Sequence, residues 1–313
     1  MTRATRTSRQ RRADIAFKCL TGACAMVIVL VMAGILTELV LQSRPSIQRF
    51  GAAFLVSRAW NPVTQDFGAA SSIFGTLVST AIAMLLAIPL GLATALLLVE
   101  LTPPLIGRIV GGAIELLAAI PSIIYGMWGL FVLAPFMARH VQPALGRALG
   151  FLPLFQGPPM GIGMLTAGLI LALMVLPFIC AVSRDVFHMV PPVLKESAHG
   201  MGATVWEVTW KVTIPHCKLG IIGAAFLGLG RAVGETMAVT FVIGNNHTIS
   251  PSLFSAGNSI ASTLANEFTE ASEPMYYSAL VELALVLFAV TFLFQLIAQL
   301  WLWTLRRRMG GEP

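Results

Sequence analysis

The chain has 313 residues, of which 57% are hydrophobic and only 11% charged, with a formal net charge of +6. A soluble domain of this length carries about twice that charged fraction, so the apolar excess faces lipid and the protein is integral to a membrane. The positive charge is no nucleic-acid footprint, because the basic residues gather at the ends of apolar runs.

A helix that crosses the hydrocarbon core needs about 20 mostly apolar residues. Six stretches meet that length and predict an all-α integral membrane fold with six transmembrane helices: residues 15–41, 71–101, 107–137, 161–183, 219–244 and 277–304. The first follows the basic N-terminus, residues 1–14, and "RTSRQRR" raises the alternative of a signal peptide. Its apolar run is too long for an h-region and no A-x-A site follows, so it is read as a retained span. Residues 42–70, 138–160 and 245–276 are then outer loops, residues 184–218 a long inner loop, and residues 305–313 a basic C-terminus. Fourteen Lys and Arg residues fall on the inner side and five on the outer side, which predicts that both termini are cytoplasmic.

Pro89, Pro121 and Pro177 interrupt the second, third and fourth spans. Each removes a backbone bond and predicts a kink, serving either a cavity or ordinary packing. Glu38 and Glu100 sit near span ends, where a carboxylate snorkels or caps. Glu115 and Glu282 lie deeper, in the third and sixth spans. They line a path or, more simply, pair with a basic residue of this chain or of a partner. Cys19, Cys24, Cys180 and Cys217 show no CxxC spacing and read as small apolar filler. The five histidines are scattered without metal spacing. No GxxxxGK[ST] phosphate loop and no nucleophile–base constellation occurs, so nothing argues for an enzyme.

The inner loop contains "KESAHGMGATVWEVTWKVTIPHC". Its first part is a short helix of good formers and small residues. That helix ends near Gly200 and Gly202, where left-handed backbone costs little, and Pro215 stops the following segment before the next span. A compact helix of this kind fits a groove on a partner. The spacing Glu196-Ser197-Ala198, three residues, Gly202, nine residues, Val212-x-Ile214-Pro215 resembles the EAA motif of ABC importer permeases. It departs from that motif by Ser at the second position and by its later aliphatics.

The fifth apolar run carries "GLGRAVGETMAV", with Arg231 and Glu235 near its middle. An arginine at a helix centre costs about 2.5–3.5 kcal/mol on the insertion scale, so it is paired or kept from lipid. The i, i+4 spacing puts the two charges on one helix face, where they can neutralise each other. Gly230 and Gly234 predict a small-residue ridge for tight packing. The charged face is therefore expected to point into a bundle.

"SSIFGTLVSTAIAMLLAIPLGLATALLL", "ELLAAIPSIIYGMWGLFVLAP" and "LGLGRAVGETMAVTFVIGN" resemble the second, third and fifth spans of the PstC-type permeases of phosphate-specific ABC importers. The likeness covers roughly residues 71–306. It implies a type I ABC importer permease fold and a translocation role for Arg231 and Glu235. It also implies coupling through Glu196, Ser197, Ala198 and Gly202 to an ATP-binding subunit dimer, with ATP and Mg used there and no cofactor on this chain. Further implied partners are a PstA-type permease subunit, an extracytoplasmic phosphate-binding protein and phosphate-signalling proteins, in the bacterial inner membrane. The PstA-type sister shares the R-x-x-G-E-T element, and a permease for sulfate or molybdate differs only in substrate. A secondary transporter or channel leaves the EAA-like loop unexplained.

Overall fold

The computed structural model describes residues 8–308 of the chain. The outermost parts of the two basic termini, residues 1–7 and 309–313, lie outside the described residues. Six helices are long and apolar enough to cross a membrane: Asp14–Gln42, Ala70–Leu101, Ser122–Leu149, Met164–His188, Val205–Val233 and Pro274–Leu305.

The core forms where the second and fourth spans lie against each other. Ala83 and Ala87 on one meet Ala167, Ile170, Leu171 and Val175 on the other, all fully buried or nearly so. Small residues make this approach possible. A Cβ added at Gly168 would sit 2.6 Å from Ile82. Between lipid-facing helices no hydrophobic force acts, so close backbone packing of this kind supplies the association energy. The first span, in contrast, has no buried face along its apolar stretch and packs mainly along the last helix. Its exposed Leu, Ile and Val side chains, with Cys19 and Cys24 among them, form a lipid-facing surface, whereas Cys180 and Cys217 are buried.

Two expected spans differ from what the structure shows. The stretch 107–137 is not one helix. A separate helix, Pro104–Ala118, ends at residues 119–121, and the spanning helix runs from Ser122 to Leu149. Proline disfavours helical geometry in the residue before it. Pro121 also takes ψ 135°, so the chain turns out of the helix there instead of bending. Pro89 and Pro177, in contrast, sit inside unbroken helices.

The fifth span begins much earlier than residue 219. Thr204 and Glu207 form a capping box that starts a helix at Val205, and this helix continues to Val233. Pro215 does not stop it, because the preceding turn, Thr209–Thr213, is a wide π turn that absorbs the missing donor. The chain then breaks at residues 234–236 and resumes as a short helix, Met237–Val242. The inner loop thus shrinks to a turn, the helix Pro192–Gly200 and a second turn.

A second cluster caps the face assigned to the outside. Phe54 and Phe67 from the first outer loop pack with Ile260 of the last loop and with Ala279, Leu280 and Leu283 of the last span. A two-strand hairpin, Trp60 against Phe67 and Asn61 against Asp66, shapes the first loop. Hydroxyls on the second span bond to the last loop: Thr76 accepts from the Ile260 N–H at 2.9 Å, and Ser72 lies 3.1 Å from Thr263.

Gly75 belongs to the same seam. A Cβ there would lie well inside contact distance of the Asn258 backbone carbonyl, which cannot swing aside. Gly75→Ala is expected to destabilise the chain by about 3 kcal/mol, the upper end of overpacking costs. Detergent unfolding of the purified protein checks this, and an unchanged midpoint would refute the close approach.

Candidate functional site

Two helix breaks lie side by side. The helix Ser122–Trp128 packs on Met237–Val242 so closely that a Cβ on Gly126 would meet Phe241 at 2.7 Å and the Ala238 Cα at 3.0 Å. This brings residues 119–121 and 234–236 into one region. Tyr125 donates to the Leu117 carbonyl at 2.9 Å across the first break, and Arg231 acts electrostatically on its hydroxyl. A 360 Å³ cavity beside Tyr125 is lined by Leu117, Ile120, Ile124, Trp128 and Leu173.

Arg231 occupies the last turn before the second break, where the helix C-terminus favours a cation. Its neighbours Ala232 and Val233 are buried, but Arg231 itself is exposed. Glu235 lies in the break. Its carboxylate accepts weakly from the Ala238 N–H at 3.4 Å, acting as a cap on the short helix that follows. Among the described residues no ion pair joins Arg231 to Glu235. The i, i+4 pairing expected from the spacing fails because the helix does not continue through residue 235. The expected ridge is also open. Nothing packs on Gly230, and Gly234 meets only its own helix, while Gly228 takes the contact with Ile179 and Val175 instead. The charged face of this chain therefore looks outward, not into its own bundle.

The other candidate carboxylates separate clearly. Glu115 is ion-paired with Arg184, which also reaches Asp185 at 3.9 Å. Glu282 is 6% exposed and sits beside Ser46, with its Oε2 unpartnered and no basic residue against it among the described residues. Glu115 thus pairs with a basic residue of this chain, and Glu282 pairs with none among the described residues. Glu38 accepts from Gln42 at 2.8 Å, as a helix-surface carboxylate does.

The helix Pro192–Gly200 presents Glu196 and Ser197 to solvent and buries Ala198. Gly202 takes φ +86°, and the Ala203 N–H bonds back to the Ala198 carbonyl at 3.1 Å, a left-handed C-terminal stop. Met189, Val193 and Met201, on this helix or beside its ends, also stand exposed. Residues 184–188 and 205–218 of the expected loop are helical and continue the spans.

Sequence reasoning missed two polar clusters. Glu100, expected to snorkel or cap, is half-buried and bonded to Lys195 and Thr213. On the opposite face, Glu267 accepts from Trp60 Nε1 at 2.6 Å and from the Tyr276 hydroxyl at 2.7 Å, and lies 3.0 Å from His247 Nε2. Asn258 links the same imidazole to Ser72 and Thr263. No local pattern signals the Glu267 cluster, because Trp60 reaches it from over 200 residues away and the nearer donors, Tyr276 and His247, are of mixed types.

Burial pushes the Glu267 carboxyl up, but hydrogen bonds from His247, Tyr276 and Trp60 outweigh it and hold the group below the ordinary carboxylate value. A depressed folded value means that the stabilisation is complete above the unfolded value, about 4.3, and is lost as pH falls through the folded one. Acid destabilisation in that window should be clear in the parent protein and blunted in Glu267→Gln, as measured by unfolding across pH. Equal pH slopes would contradict the network. For the broken span, a double-mutant cycle on Arg231→Gln and Glu235→Gln should give less than about 0.5 kcal/mol of coupling in stability, as for separated residues. A coupling above about 1 kcal/mol would restore the ion pair.

Comparison with known proteins bears on what this arrangement serves. The family described as "Binding-protein-dependent transport system inner membrane component" matches residues 87–302. The phosphate transport system permease protein PstC of Mesorhizobium japonicum is 51% identical over 95% of this chain and 92% of its own length. That of Pasteurella multocida is 50% identical over 96% and 94%. A probable PstC of Methanocaldococcus jannaschii is 35% identical over 88% and 89%. Among solved structures, a bacterial alginate ABC transporter in complex with an alginate pentasaccharide-bound periplasmic protein superposes with a TM-score of 0.61. Its identity is 16%, covering 95% of this chain and 97% of that one. The inward-facing MetNI methionine ABC transporter gives 0.56 at 20% identity, covering 74% and 94%. At these identities the likeness is one of fold.

Proposed function

The chain belongs to the family of binding-protein-dependent transport system inner membrane components, and on that premise we propose that it is the permease subunit of an ATP-driven importer of inorganic phosphate, forming part of the substrate path at Arg231. The observation that carries this reading is the exposed guanidinium at the break in the fifth span, in a chain about half identical over nearly its whole length to phosphate permeases.

An arginine within a span and on an open face is too costly to leave against lipid. A second permease subunit of the PstA type, meeting this face, would enclose it and leave a polar seam between the two chains. Guanidinium offers parallel donors that match a tetrahedral oxyanion. Glu235 does not consume those donors, because it caps the next helix. The guanidinium therefore remains free to meet phosphate, while the nearby carboxylate keeps the empty seam near neutral and the binding weak enough for release. The open glycine face beside Arg231 gives the ligand or the partner backbone room to approach. Glu115, tied to Arg184, and Glu282, buried beside Ser46, stand outside this path.

Energy enters from a dimer of ATP-binding subunits that hold ATP and Mg, since this chain has no nucleotide loop. The helix with Glu196, Ser197, Ala198 and Gly202 is the surface on which they dock. An extracytoplasmic phosphate-binding protein delivers substrate to the loop face opposite, and both termini lie in the cytoplasm. Phosphate-signalling proteins complete the set of partners.

The test is uptake of labelled phosphate by assembled complexes carrying Arg231→Gln or Glu235→Gln, with sulfate and molybdate as competitors. Loss of a charge-assisted contact should lower uptake by Arg231→Gln by about tenfold to a hundredfold. Glu235→Gln should slow release and lower turnover. Normal uptake by both variants would overturn the site, and equal competition by sulfate would overturn the substrate.

A further inference from the structure

On the reading proposed above, a docked ATPase acts on this chain through the helix Pro192–Gly200, yet that helix is thinly attached. Its sole buried residue is Ala198, and turns hold its two ends. One side chain on it reaches inward. Lys195 Nζ donates to Glu100 Oε1 at 2.7 Å, and the same oxygen accepts from the Thr213 hydroxyl at 3.2 Å. A single carboxylate oxygen therefore joins the cytoplasmic helix, the end of the second span and the start of the fifth. The pair is enclosed, with 20% and 12% of the two side chains exposed. Leu98, Val190 and Cys217 belong to the buried apolar cluster around it.

Both membrane-side partners lie in irregular helix. Glu100 belongs to the π turn Leu97–Leu101 and Thr213 to the π turn Thr209–Thr213. Each helical residue turns the chain by about 100°, so one extra residue per turn redirects every side chain beyond it. Wide turns of this kind cost hydrogen-bond geometry and recur at functional positions. Two of them converge on one contact.

We propose that Glu100 is a positioning residue for energy coupling, a tie that makes the ATPase-docking helix move as one body with the second and fifth spans. The proposal rests on the reading of the chain as an ATP-driven permease. A buried ion pair contributes little net stability over an apolar replacement, but its geometry specifies one arrangement, and loss of one partner leaves an unpaired charge that drives the parts asunder. From Thr213 the helix runs unbroken to Arg231, a lever of about 27 Å at 1.5 Å per residue. Displacement of the docking helix is thereby delivered to the span that carries the substrate residue. With the tie cut, the docking helix can follow the ATPase while the spans lag behind it.

The experiment uses the complete importer in vesicles, with phosphate uptake and ATP hydrolysis measured on the same preparation. Lys195→Met and Glu100→Gln each keep side-chain bulk while removing one charge. Both should lower phosphate imported per ATP by about tenfold, on the scale of coupling within a contacting network, while hydrolysis persists. Thr213→Val, which removes the weaker contact, should lower it by about threefold. The exchange Glu100→Lys with Lys195→Glu restores opposite charges across the same gap and should recover most of the ratio. An unchanged ratio in both single variants overturns the tie. So does parallel loss of import and hydrolysis that the exchange does not rescue, because that pattern belongs to a damaged fold. A parent complex that hydrolyses ATP without importing phosphate would instead overturn the permease reading itself.

Discussion

Backbone packing between the second and fourth spans is the contact on which the rest of the chain is arranged. It is built from alanine and glycine, so the two helices approach closely and bury one another's inner faces without large side chains. Larger apolar residues then fill the flanks, with Ile170, Leu171 and Val175 meeting the alanines and Val242 closing from the short helix after the break. In a bilayer such packing replaces the hydrophobic force that organises soluble cores. Elements outside this pair, above all the first span, are held by fewer contacts and present apolar surface to lipid.

Against that rigid pair, the third and fifth segments are interrupted. One is broken by proline at residue 121 and the other by a glycine, a capping glutamate and a threonine at residues 234–236. Each break exposes backbone groups that must find partners. Tyr125 satisfies the Leu117 carbonyl, and Glu235 serves the Ala238 N–H. Irregular backbone at membrane depth is tolerated where it is covered by protein or lines a watery path. An exposed arginine at the same place has the same requirement. The geometry of the breaks and the cost of the charge thus argue for one outcome, a polar seam that a second subunit closes.

At the two ends of the bundle, half-buried carboxylates join segments far apart in sequence. Glu100 ties the helix Pro192–Gly200 to two spans, and Glu267 ties the loop of Trp60 and its own loop to the last helix. The two differ in what surrounds them. Glu267 sits among aromatic donors that join the loops, whereas Glu100 stands between the helix Pro192–Gly200 and two wide turns of the spans. The first arrangement braces the loops, and the second is the tie proposed above for coupling.

Much of the architecture was legible in the residues themselves. Runs of about 20 apolar residues must be helices that cross lipid, because no other backbone state satisfies its own polar groups there. The short helix before Gly202 was legible too, since glycine there permits the φ of +86° that ends it. Arg231 stood out because its charge is costly in a span. What the sequence could not decide were the breaks and the partnerships. Whether a proline stays inside a helix, as at 89 and 177, or ends it, as at 121, depends on whether neighbouring helices leave room for the turn. The same is true of Pro215, which a wide turn accommodates. Arg231 and Glu235 are four apart in sequence, but only Arg231 lies in the helix, and Glu235 lies in the break after it. Glu100 finds Lys195 ninety-five positions away only because the fold closes the second span against the docking helix. Composition determines which segments enter the membrane, since that is a property of each segment alone; charge partners and helix breaks are decided by packing, since they are properties of two segments at once.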